Sequence, residues 1–420
     1  MVAVAFVLLL LLGLPIALVL AITAIVYIYL SGNEVLLLSY AQQLFSGIES
    51  YGLLAIPLFM LVGEIMHEGG ITRRLMDAAK ACVGAIRGGL LYVNLLANMM
   101  MASILGSAAA QIAIMTQVMV PEMEKSGYRR DLAAATTAAA GLLSPIIPPS
   151  MLFVIYGVLA QISIGDMFIA GIIPGLLMSA GFLFVILLLG LKNPYPRGER
   201  LTVRQRLRFL ASGMPAALVP IVIVGSIVSG LASPTESAAV AALVALLVGR
   251  FVYREFRFDR MGEVLKRAAA NSAIILFLIA TAQVFGWVII FEQMPQTVAA
   301  WVQTVAATPT EFMLLVLVIL LILGCVIDAI AALIIVVPIL LPIATDSYGI
   351  DPFQFGVVVC VNLVLGLLTP PVGSGLFIAS ALSGVKPGPI FRAIWPFLLS
   401  TVLVLVLLSV EPWFVTVLLR

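Results

Sequence analysis

Two ten-residue runs, GLLSPIIPPS at 141–150 and GLLTPPVGSG at 366–375, nearly repeat one another in the middle of apolar segments. A membrane helix carrying so much Pro, Gly and hydroxyl loses backbone hydrogen bonds, and hydrocarbon offers the freed carbonyls no partner. Such a break is tolerated only where it faces protein or a polar cavity. The chain is therefore expected to hold two broken helices. Matched breaks in the two halves of a membrane protein are the strongest sequence pointer to a transporter's substrate and ion site.

The membrane setting rests on composition. Hydrophobic residues make up 63% of the chain and charged ones 10%, the mean hydropathy is +1.22, and apolar runs of bilayer length recur from end to end. These numbers imply an all-α polytopic membrane protein. A net charge of +2 is too small to point to a nucleic-acid partner, and the basic residues fall in short loops, where they report topology. Cys82, Cys325 and Cys360 are odd in number and lie on apolar segments, so no disulfide framework is expected. The first 30 residues lack a basic n-region and are too long for a cleavable signal, so they read as a retained helix. His67 is the only histidine. The sequence contains no Ser-His-Asp set, no GxxxxGK[ST] loop and no Cys/His cluster, which argues against an enzyme and for drive by an ion gradient or an external partner.

Apolar patterning predicts spans over 2–29, 51–68, 164–191, 211–231, 235–253, 269–291 and 389–411. Amphipathic connectors occupy 33–50 and 293–311, without Lys or Arg, and 72–88 and 254–267, both rich in them. Two apolar stretches, 89–121 and 312–343, are interrupted at Gly106-Ser107 and at Gly324 and read as re-entrant helical hairpins. The broken helices cover 131–160 and 353–383. The linker 192–208 holds Lys192, Arg197, Arg200, Arg204, Arg206 and Arg208 and is expected in the cytoplasm. Counting crossings from it puts every basic connector inside, the first hairpin on the cytoplasmic side and the second on the outer side. The halves are then inverted copies: 1–191, a linker and extra span at 192–231, and 232–420. Direct alignment agrees, with ILGSAAAQ over ILGCVIDA, GLLSP over GLLTP and Pro174 over Pro396.

Hairpin tips and helix breaks bring half-helix ends together at the midplane, where unwound carbonyls and hydroxyls suit a dehydrated alkali cation and helix N-termini suit a carboxylate. The first-half donors are Ser103, Gly106, Ser107, Gly141 and Ser144; their counterparts are Gly324, Asp328, Gly366 and Thr369. Ser150 and Ser374, just past the breaks, are the hydroxyls best placed for an organic anion, followed by Gln111. Asp328 is the sharpest of these, because an ionisable group in an apolar stretch is functional by default, against a plain capping role. Asn362 serves either helix packing or ligation. Glu64 and Glu236 lie near span ends, where snorkelling or capping accounts for them.

At these residues the chain resembles the large membrane (M) subunit of a TRAP (tripartite ATP-independent periplasmic) transporter. The similarity is carried by AIPLFMLVGEIMHEGGI, ILGSAAA, the run from EKSGYRRD through LLSPIIPPSMLFVIYG to IIPGLL, ASPTESAAVAALVALLVG, and GIDPFQFGVVVCVNLVLGLLTPPVGSGLFIAS. The resemblance implies a sodium-coupled, elevator-type importer of organic acids in the bacterial inner (cytoplasmic) membrane. It also implies two sodium sites, a small four-helix membrane subunit, and a soluble periplasmic substrate-binding protein. The pattern departs from the family at Gln111, where Asn or Asp is common, and at Ala329-Ile330, where a Pro or Thr is common. A self-sufficient sodium/dicarboxylate symporter of the same superfamily is the main alternative. An ion channel would need oligomeric symmetry and a filter.

Overall fold

The computed structural model describes residues 2–84, 86–192, 195–196 and 202–419, which form helices and no strand. The first half runs α1 (Val2–Leu11), α2 (Ile16–Leu30), α3 (Leu36–Ser46), α4 (Ala55–Glu68), α5 (Ile71–Val83), α6 (Gly89–Leu105), α7 (Ala108–Lys125), α8 (Arg130–Gly141), α9 (Met151–Leu159) and α10 (Ile164–Lys192). Then come α11 (Val203–Val228), α12 (Pro234–Leu247), α13 (Met261–Phe291) and α14 (Met294–Val305). The chain closes with α15 (Pro309–Gly324), α16 (Ala329–Pro342), α17 (Pro352–Gly366), α18 (Ser374–Ser383), α19 (Pro387–Val410) and α20 (Trp413–Thr416).

Three expectations need correction. The span expected over 2–29 is two helices, because Gly13 takes a φ of 75° and Pro15 brings no N–H to continue α1. The basic connector 254–267 and the span 269–291 are not separate: the second half of the connector and the whole span lie on the 31-residue helix α13. The linker is shorter than expected, since α11 starts at Val203 and carries Arg204, Arg206 and Arg208 on its first turns. Its start is fixed by a capping box in which the Thr202 hydroxyl accepts from Gln205 N and Gln205 Oε1 accepts from Thr202 N. Arg197 and Arg200 lie outside the described residues.

Among the described residues seven helices are long and apolar enough to cross a bilayer, from Tyr51–Glu68 to Pro387–Val410. Ala329–Ser347, the second arm of the later hairpin, is one of them, whereas α14 and α15 meet at a bend of 111°. Large apolar side chains such as Phe184, Leu191, Ile221, Ile274 and Leu403 point outward on these helices, as a hydrocarbon solvent allows.

The helices sort into two groups, which meet where α5 packs on α6 and α13 on α16. In one, α13 lies against α2, α3 and α4, and α11 and α12 lie against α5 and α4. Glu64 and Glu68 of α4 are tied here to α13 and to the residue that caps it: Arg267 Nε reaches Glu64 Oε2 at 2.7 Å, and Arg260 Nη1, at the N-cap, reaches Glu68 Oε1 at 2.6 Å. Glu64 thus holds two helices together, while Glu236 caps α12 by accepting from Ser233 N at 2.8 Å. The other group contains the hairpins, the broken helices, α10 and α19. Its contacts are crossed between halves: α7 packs on α18, and α16 packs on α9. Tyr156 of α9 is fully buried, its hydroxyl donating to Pro352 O at 2.6 Å.

Candidate ion and substrate site

Both breaks open in the same way. Helix α8 ends at Gly141 and α17 at Gly366; Ser144 N then donates to Gly141 O at 3.2 Å, and Thr369 N to Gly366 O at 3.0 Å. Each loop then leads into a new helix, α9 or α18. Each break also meets a hairpin tip. Gly106 takes the left-handed conformation that ends α6, and a Cβ there would lie 3.3 Å from Met151 N and 3.4 Å from Pro149 O. In the second half Gly324 and Gly366 touch backbone to backbone: a Cβ on Gly366 would lie 2.5 Å from Gly324 C and 2.8 Å from its O. A bond from Gly373 N to Cys325 O, 3.0 Å, closes the contact.

Gly324 and Gly366 are each the last residue of a helix. Two C-terminal ends therefore converge; loop N–H groups fold back on several of their last carbonyls, as Thr369 N does on Gly366 O, yet both ends carry the partial negative charge of a helix C-terminus. That is a local field for a cation. Asp328 stands beside it as the N-cap of α16, with Oδ1 accepting from Ile330 N at 3.0 Å. The carboxylate is exposed, and no cation pairs with it among the described residues. Capping and ligation are therefore compatible, since the cap uses one of its two oxygens.

The other candidates divide by what their polar atoms already do. Ser144 is fully buried and its Oγ has no partner among the described residues. The Thr369 hydroxyl, just past the end of α17, donates back to Leu365 O of that helix at 3.0 Å, which leaves its oxygen as an acceptor. Ser107 caps α7, accepting from Ala110 N at 3.5 Å, and Ser103 is half-buried in the last turn of α6. Ser150 departs from expectation. Its hydroxyl donates to Pro145 O and accepts from Phe153 N at 3.2 Å, so it closes its own loop rather than facing an anion. Ser374 is half-buried in the first turn of α18 and makes no side-chain hydrogen bond among the described residues. Gln111 is fully buried, both Nε2 contacts go to Asn98, and its Oε1 has no partner among the described residues. The free atom is an acceptor, which suits a cation or a hydroxyl rather than a carboxylate. Asn362 donates to Leu317 O of α15 at 2.8 Å and staples the broken helix to the hairpin.

Sequence reading passed over Asn94 and Asn98, which connect Gln111 to Thr136 and Thr137. Their one-turn spacing on an apolar helix was the available signal. None of the candidate residues lines a cavity of about 780 Å³ that lies between Ser46–Gly52, the end of α9 with the start of α10, and Gly230–Thr235. Its lining includes the polar side chains of Gln161, Ser163, Asp166 and Gln283, and it opens between the two helix groups.

Comparison with known proteins agrees with this architecture. The Alcanivorax borkumensis YdaH transporter has a similar fold, with a TM-score of 0.67 at 15% identity over 95% of this chain and 96% of that one. A C4-dicarboxylate TRAP transporter large permease protein of Pseudomonas aeruginosa is 39% identical over 89% of this chain and 87% of its own length. A sialic acid TRAP transporter large permease protein of Vibrio cholerae is 35% identical over 96% and 94%. Residues 3–414 match the family described as tripartite ATP-independent periplasmic transporter, DctM component. The chain belongs to that family of multi-pass large permease subunits.

Proposed function

We propose that the chain is the large membrane-embedded subunit of a sodium-coupled importer of an organic acid, working in the bacterial inner membrane. The observation that carries this reading is the pairing of each hairpin tip with a helix break, above all the convergence of two helix C-termini at Gly324 and Gly366. One sodium ion is assigned to Ser103, Gly106, Ser107, Gly141 and Ser144, and a second to Gly324, Asp328, Gly366 and Thr369. Ser374 and the free N–H groups at the start of α18 are assigned to the substrate carboxylate. Sodium is the coupling ion and no other cofactor is invoked. The substrate class follows from the relatives, whose names specify a C4-dicarboxylate and a sialic acid, both carboxylates.

In this reading the hairpins and broken helices form a body that moves as an elevator against the group built on α4, α5 and α11–α13. The crossed packing of α7 on α18 and α16 on α9 supports an inverted repeat, because a two-fold axis in the membrane plane exchanges those two contacts. Single cysteines at Ser126 and Ser347, in a background without native cysteines, are expected to label from opposite membrane faces. Labelling of both from one face would end the inverted-repeat assignment.

A small four-helix membrane subunit and a periplasmic binding protein complete the proposed assembly. In liposomes with an inward sodium gradient, the chain alone is expected to give no uptake. Adding the small subunit and the loaded binding protein is expected to restore it, with a sodium dependence steeper than first order. Robust uptake by the chain alone would favour the self-sufficient symporter instead.

A further inference from the structure

The first half contains a continuous ladder of buried polar side chains. Gln111 Nε2 donates to Asn98 Oδ1 at 2.9 Å and to Asn98 O at 2.8 Å. Asn98 Nδ2 donates in turn to Asn94 Oδ1 at 2.9 Å and to Asn94 O at 2.8 Å. Asn94 Nδ2 donates to Thr137 Oγ1 at 2.8 Å and Thr136 Oγ1 at 3.3 Å, and those hydroxyls donate to the Leu132 and Ala133 carbonyls. None of the five side chains is more than 3% exposed.

Chemistry fixes the direction of this ladder. Backbone carbonyls only accept, so the amide nitrogens of Gln111 and Asn98 must face them. Every bond then points the same way, and the series ends at Gln111 Oε1, an acceptor without a partner. An orphaned buried acceptor costs about 1–3 kcal/mol, and aligned hydrogen bonds polarise one another. Packing alone gives no reason to keep that oxygen. Ser144 Oγ is a second orphan, and the two flank one contact: Ile112, next to Gln111, sits so close to Gly141 that a Cβ there would come within 2.5 Å of Ile112 Cγ1. In the alignment of ILGSAAAQ with ILGCVIDA, Gln111 falls one residue past the counterpart of Asp328.

We propose that Gln111 Oε1 is a ligand of the first alkali-cation site and that Asn98 and Asn94 are positioning residues that aim it. The proposal deepens the sodium reading above and rests on it. The halves then solve one problem differently: the second supplies a charged carboxylate, the first a neutral amide oxygen polarised through a ladder.

The test is sodium-dependent thermal stabilisation of the purified chain, with potassium chloride holding ionic strength constant, because a bound cation raises the melting temperature by mass action. The wild type is expected to give a saturable rise with a defined midpoint. Gln111→Met and Asn98→Ala are each expected to raise that midpoint about tenfold, and Asn94→Ala about threefold, as removal of groups that orient a ligand does. Gln354→Ala removes an unrelated buried amide, bonded to Leu408 O and Ser409 O. It is expected to lower the melting temperature in zero sodium without moving the midpoint. A responsive wild type with unshifted midpoints in Gln111→Met and Asn98→Ala overturns the ladder inference alone. A wild type indifferent to sodium overturns the sodium reading together with it.

Discussion

Gly366→Ala is expected to lower the melting temperature and to abolish sodium-activated uptake in the complete reconstituted system, whereas Gly225→Ala is expected to do neither. A methyl at Gly366 would meet Gly324 C at 2.5 Å and Cα at 2.6 Å, and these are backbone atoms that cannot rotate aside. Overpacking of this kind costs about 1–3 kcal/mol. Relief requires the tip and the break to separate, and a misplacement of about 1 Å at a site that depends on orientation can cost roughly 100-fold in rate. Gly225 is exposed on α11 with nothing within 4 Å of a Cβ, so the same change there is sterically free. Thermal melts and liposome uptake of both variants check the pair. Wild-type uptake by Gly366→Ala would dissociate function from the tip-to-break contact.

Asp328→Asn is expected to raise the half-activating sodium concentration about tenfold, equivalent to about 1.4 kcal/mol, with the melting temperature in zero sodium nearly unchanged. Asparagine caps a helix about as well as aspartate, and Oδ1 can still accept from Ile330 N. The substitution removes charge while keeping the cap. Capping alone therefore predicts no change in either measurement, and unchanged sodium activation would remove Asp328 from the ion site. Asp328→Ala, by contrast, is expected to lose about 1 kcal/mol of cap stability as well.

The breaks were legible in sequence because Pro and Gly announce themselves in apolar runs, and the structure places the ends of α8 and α17 at Gly141 and Gly366. Gly13 and Pro15 carry the same signal, but within an otherwise unbroken apolar run they were read through as one span. Long-range polar partners were not legible. Glu64 finds Arg267 some two hundred residues away, and nothing in its own neighbourhood announces that. Ser150 shows the same limit at short range. A serine after a break looks available, and only the loop's closure shows its hydroxyl held by Pro145 O and Phe153 N. The ladder was missed because Asn94 and Asn98 are single amides on an apolar helix, whose partners become visible only when α6, α7 and α8 pack together.

The crossed contacts also bear on how the chain comes to be made. As synthesis proceeds from the N-terminus, α7 and α9 leave the ribosome long before α18 and α16, the helices they pack against. Until the later half arrives, Tyr156 has no Pro352 carbonyl for its hydroxyl and no Gly356 to lie against. The newly inserted first half is thus an open clasp with an unmatched polar group and an apolar face still uncovered. Completion of the second half closes both cross-contacts, so the core of the first half is finished only after α16 and α18 have been made.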